Sequence, residues 1–118
     1  MKQALSVLSQ TEETIRRYIL AMETEVNPTK NYEKSIVLCL RSLAKKTKKS
    51  FENITKEDII LFLNSFKKSE PLDPLHQSVG TYNLNAVHLI RFFRWLYSPD
   101  MTPIERPKPD CIRNIVQL

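Results

Sequence analysis

A single glycine, Gly80, among 118 residues sets the first limit on what this chain can fold into. Tight hairpins and glycine-rich phosphate loops need positive-φ positions that glycine fills at little cost, so both are almost excluded. Helices joined by Pro- and Ser-containing turns remain. Apolar residues make up 42% of the chain, too many for a disordered segment. The length fits one domain, which buries about two-thirds of the surface its unfolded form exposes.

The spacing of apolar residues predicts four helices. The first covers residues 11–24, opening with Thr11-Glu12-Glu13, where acids suit the positive end of the helix dipole. Its apolar face is Ile15, Tyr18, Ile19 and Met22, and Asn27-Pro28 ends it, because a residue before proline avoids the helical region. The second runs over residues 29–49, with Tyr32, Ile36, Cys39, Leu40 and Leu43 on one side. The third starts at the N-cap Thr55, with an acid three residues on at Asp58, and buries Ile59, Phe62, Leu63 and Phe66. Glu70–Gly80 holds two prolines and the glycine, and reads as a loop. The fourth helix begins near Thr81 and stops before Pro99; Tyr82, Ala86, Leu89, Phe93 and Leu96 fall within about 40° on a helical wheel. Four amphipathic helices bury their stripes only against each other. The fold class is therefore all-α, a compact four-helix orthogonal bundle with an extended C-terminal tail.

The tail, residues 101–118, contains Pro103, Pro107 and Pro109 and ends in apolar residues. It is expected to be an interdomain linker following a helical domain over residues 1–100; the other reading folds Ile112, Ile115 and Val116 back on the bundle.

Cys39 lies in the apolar run Ile36–Leu40 and reads as a small buried hydrophobe. Cys39 and Cys111 without nearby histidines make no tetrahedral metal site, so no metal or other cofactor is expected, and the location is expected to be cytoplasmic. No apolar run approaches the roughly 20 residues of a bilayer span, so no membrane association is expected either.

The net charge of +5 is unevenly spread. Residues 34–68 hold nine Lys/Arg against three Asp/Glu, whereas residues 1–33 hold four against five and residues 69–118 hold five of each. A concentrated basic segment suggests a polyanionic partner. On the second helix, Lys34, Arg41, Lys45 and Lys48 lie between about 160° and 220° from Tyr32, opposite the apolar face. A solvated face would interleave acids for i,i+4 pairing, and here the only acid is Glu33 at the start. Lys46 and Lys49 extend the patch. On the fourth helix, Asn83, Val87, Arg91 and Arg94 share a separate face. Arginine and asparagine make bidentate contacts to base edges, while Thr81 and Asn83 at the expected helix start suit a phosphate.

Two motifs invite a catalytic reading and do not sustain it. His88, Arg91 and Tyr97 lie on one helix turning 100° per residue and do not converge on one phosphate. Glu12, Glu13, Glu23 and Glu25 lack metal-ligand spacing, and capping accounts for the first pair. Neither histidine has an evident nucleophile and orienting acid.

The segment Thr81-Tyr82-Asn83, followed by Ala86-Val87-His88-Leu89-Ile90-Arg91-Phe92-Phe93-Arg94-Trp95-Leu96, resembles the last helix of the SAM-like core-binding domain of tyrosine recombinases, the phage-type integrases. Phe51-Glu52-Asn53-Ile54-Thr55-Lys56-Glu57-Asp58-Ile59 resembles the entry to that family's third helix, and the two motifs occur in the family's order over roughly residues 12–100. The resemblance implies a non-catalytic half of a C-shaped clamp on double-stranded DNA at a recombination site. Its DNA face would carry Arg41, Lys45, Lys48 and Lys49 from the second helix, and Thr81, Asn83, Arg91 and Arg94 from the fourth. It also implies that the catalytic arginines, histidine and tyrosine belong to a separate C-terminal domain beyond a Pro103–Pro109 linker. Self-assembly on DNA would then involve the full-length protein. Val87 and Ile90 depart from the pattern, standing beside that face where polar residues are commoner. The alternative is a helical protein–protein interaction module, its basic stripe meeting an acidic partner and Phe92 and Trp95 serving as anchors.

Overall fold

A computed structural model of the chain describes residues 2–66 and 77–115, with side chains described at 9–66 and 80–115. Among these residues there are four α-helices and no strand: α1 (Lys2–Glu25), α2 (Lys30–Thr47), α3 (Lys56–Asn64) and α4 (Gln77–Tyr97). Two 3-10 turns, Phe51–Asn53 and Asp110–Ile112, complete the elements. The expected all-helical bundle is what the chain adopts. Among the described residues no helix is long and apolar enough to cross a membrane.

Helix boundaries follow local chemistry where capping groups are present. Thr29 caps α2 by accepting the Tyr32 backbone N–H at 3.2 Å. Thr55 and Asp58 form a reciprocal capping box at α3: the Thr55 hydroxyl accepts from the Asp58 N–H at 3.3 Å, and the Asp58 carboxylate accepts from the Thr55 N–H at 3.0 Å. Asn27 (φ 46°) and Lys48 (φ 57°) turn the chain through the left-handed region after α1 and α2.

Two boundaries differ from expectation. The first helix begins at Lys2, not near Thr11: Thr11, Ile15, Tyr18 and Met22 keep one spacing of three and four residues, so Thr11 belongs to the buried stripe and not to a cap. Thr11 is buried in mid-helix, and the acids after it have partners elsewhere. The fourth helix already runs at Gln77, so Gly80 is helical, not part of a loop. The rest of the expected 70–80 loop lies outside the described residues.

The core sits where all four helices meet. Tyr18 of α1 packs edge-on to Phe92 and against Trp95 of α4, each at 5.1 Å between ring centroids. The first 3-10 turn delivers Phe51 to within 4.7 Å of Phe92. Ile36, Leu40 and Leu43 of α2 and Ile59 and Leu63 of α3 close the other sides, all fully buried. Truncating one of these leucines to alanine would cost about 2–5 kcal/mol. Cys39 is buried, as its apolar run predicts, and burial pushes its thiol up to about 12.

Phe92 (0% exposed) and Trp95 (7%) belong to this core, which corrects their reading as partner anchors. Helix α4 is wrapped by α1, α2 and α3 together and buries a wider arc than the stripe centred on Tyr82.

Residues 101–115 pack on the bundle, as in the second of the two readings of the tail. The tail's backbone turns at Pro103, where the Glu105 N–H bonds the Thr102 carbonyl at 3.0 Å, and is extended at Pro109. Its 3-10 turn packs on α3 and α4, Cys111 and Ile112 join the core, and Ile115 packs against it. Val116 lies outside the described residues. Arg106 is buried and ties the segment down, giving hydrogen bonds to the Ser98 and Pro99 carbonyls and a two-pronged ion pair to Glu25. The packing therefore runs past residue 100 without a break.

Candidate nucleic-acid interface

The basic face of α2 divides into paired and unpaired cations. Arg41 donates from Nε and Nη2 to both carboxylate oxygens of Glu12 on α1, at 2.8 and 3.0 Å. The Lys49 ammonium meets the Asp58 carboxylate at 2.8 Å, which with the Thr55 N–H holds that carboxyl below the usual aspartate range. The Arg41–Glu12 pair is about half exposed, where such contacts are worth up to about 1 kcal/mol, while the Lys49–Asp58 pair is partly buried. Lys34, Lys45, Lys46 and Lys48 are exposed and have no acidic partner among the described residues. Glu12 lies 29 positions from Arg41 and reaches it from a neighbouring helix, so the acids of α2 alone do not reveal the pair.

The expected face of α4 is not one surface. Thr81 is exposed but lies four residues inside the helix, so the expected phosphate seat at a free helix start does not exist there. Its carbonyl accepts the Asn85 side-chain amide at 2.8 Å. Asn83 is half-exposed and likewise interior. Arg94 is partly exposed and held by the tail: Nε donates to the Arg106 carbonyl at 2.8 Å and Nη2 to the Pro103 carbonyl at 3.0 Å. Arg91 is exposed, with Nη1 donating to the Tyr32 hydroxyl of α2 at 2.9 Å. Of the eight expected contact residues, Lys45, Lys48 and Arg91 keep a cation exposed without a carboxylate, and Lys34 and Lys46 join them.

The His88, Arg91 and Tyr97 side chains serve three separate contacts. The Tyr97 hydroxyl donates to the Glu52 carbonyl at 3.3 Å, and His88 lies 1% exposed with Nε2 2.9 Å from the Ser35 hydroxyl. His88 Nδ1 has no partner. An orphaned lone pair costs less than an orphaned N–H, so the proton belongs on Nε2, donated to Ser35. Burial and the Arg91 charge push this imidazole down to about 4. Sequence reading missed this contact and Arg106, since helical periodicity carries no signal for either.

No protein-family model, curated protein or solved structure matches the chain.

Proposed function

We propose that this chain is a DNA-gripping module of a site-specific tyrosine recombinase, holding duplex DNA through phosphates. The observation that carries the reading is the set of exposed lysines without a carboxylate partner on α2 and its C-cap: Lys34, Lys45 and Lys48 on the side opposite the core, with Lys46 beside them on another flank. Lys34 and Lys48 stand about 21 Å apart along the helix, the rise of about six phosphates of one strand. A solvated helix would carry acids between them. The order of the α3 and α4 motifs is what supports the recombinase assignment. In this proposal the protein is cytoplasmic, a separate domain supplies catalysis, and self-assembly happens on DNA.

The corrected face is narrower than the sequence suggested. Lysine point charges contact phosphates without reading bases, so the module contributes affinity more than sequence preference. Neutralising about four phosphates gives a log–log salt slope of about −3 to −4. The test is a titration against random-sequence duplex at several salt concentrations, with Lys45→Glu/Lys48→Glu in parallel. The double variant should bind all sequences more weakly with a shallower slope. Salt-independent binding, or an unaffected double variant, would overturn the reading.

A further inference from the structure

The C-terminal end of α1, the middle of α4 and the docked tail enclose a pocket of about 340 Å³. Its walls include the buried ring of Tyr18 together with Val26 and Pro103, and three guanidinium groups line it: Arg91, Arg94 and Arg106. One carboxylate, Glu25, shares the lining, and each of its oxygens accepts a hydrogen bond from Arg106. The other two charges have no carboxylate partner among the described residues. Arg94 is fixed by neutral backbone carbonyls and Arg91 by a neutral phenol, so their positions are set while their charges are not compensated. Three residues apart on one helix, they are neighbours of like charge, an arrangement that is mildly destabilising when nothing lies between them. Nη1 of Arg94 and Nε and Nη2 of Arg91 make no hydrogen bond among the described residues.

Preorganised arginine donors beside an apolar wall are the chemistry that recognises a carboxylate or phosphate group carried on an apolar body. We infer that this pocket is a binding site for one small organic anion, its charged head between Arg91 and Arg94 and its body against Tyr18, Val26 and Pro103. The inference does not rest on DNA binding: Lys45 and Lys48 line no part of the pocket, and its test uses no nucleic acid.

Trp95, the only tryptophan, packs on Tyr18 and so reports on the pocket wall. Phenyl phosphate, inorganic phosphate and uncharged benzyl alcohol are titrated into the intact chain, following Trp95 fluorescence and backbone amide shifts. Phenyl phosphate should saturate, with shifts around residues 18–26, 91–94 and 104–106; inorganic phosphate should bind at least tenfold more weakly, and benzyl alcohol should not saturate. Arg91→Gln removes one charge from an exposed position, and Val26→Glu places a competing carboxylate at the wall. Each should weaken phenyl phosphate at least tenfold. If Arg91→Gln fails to fold by circular dichroism, Val26→Glu decides alone. A non-saturating response to phenyl phosphate, comparable binding of benzyl alcohol, or full affinity in either folded variant would overturn the inference.

Discussion

Arg106 and Glu25, 81 positions apart, meet through two hydrogen bonds of 3.1 and 2.6 Å, with the guanidinium almost wholly buried and the carboxylate partly in solvent. Removing only the carboxylate leaves a buried cation with neutral acceptors alone, a large loss by the standards of single substitutions. Glu25→Gln is expected to cost about 2–3 kcal/mol in urea unfolding, less than a fully dry pair because Glu25 retains some water. Adding Arg106→Met to Glu25→Gln should recover part of that loss, since no stranded charge remains. A double variant as unstable as the sum of both singles would rule out this coupling.

His88 makes stability depend on pH in a fixed direction. The unfolded imidazole takes up a proton near 6.5 and the folded one only near 4. Between those values the unfolded state binds more protons, so the contribution is complete above about 6.5 and falls away as the pH drops toward 4. The loss should amount to about 2–3 kcal/mol. Comparing urea midpoints of the parent and His88→Gln from pH 7.5 to 4 checks this: the parent curve should fall more steeply, and parallel curves would count against it.

Lys48 couples stability and binding with opposite signs. It ends α2 in the left-handed conformation, its N–H bonded to the Ala44 carbonyl at 2.8 Å. A side chain there costs about 1 kcal/mol that glycine does not. Lys48→Gly is therefore expected to raise stability by about 0.5–1 kcal/mol while weakening duplex binding. Thermal unfolding and a DNA titration on one preparation measure both.

Glu12 holds one cation out of the proposed DNA surface. Glu12→Gln releases Arg41 at little cost, because the exposed pair contributes at most about 1 kcal/mol. Affinity for random duplex should rise several-fold at low salt, with the salt slope steeper by about one. An unchanged slope would mean that Arg41 does not reach phosphate even when free.

Elements governed by neighbouring residues were readable in the sequence. Thr55 and Asp58 announced α3, and the stripe from Tyr32 to Leu43 placed the buried side of α2, because capping and periodicity act within a few residues. Thr11-Glu12-Glu13 misleads for the same reason: a cap signature is local and does not say whether the turn before it is already helical. The candidate site was less readable. Arg41 looked unpaired until α1 brought Glu12 to it, and so did Arg94 until the tail returned to accept its hydrogen bonds. A helical wheel orders side chains around one axis and contains no information about what approaches from another part of the chain. Phe92 and Trp95 show the limit in reverse, since α4 is enclosed on more sides than any one stripe reveals.

The docking of residues 101–115 also determines how the chain bears load. A pull at residue 115 would not stretch a slack tether; it would draw first on the Asp110–Ile112 turn and the seat of Ile112. It would then reach Arg106, whose ion pair passes the tension to the end of α1 and thence to the first half of the molecule. Peeling the segment away should therefore proceed in steps with a force plateau, and the orientation of residue 115 relative to the bundle stays fixed until those two anchors give way.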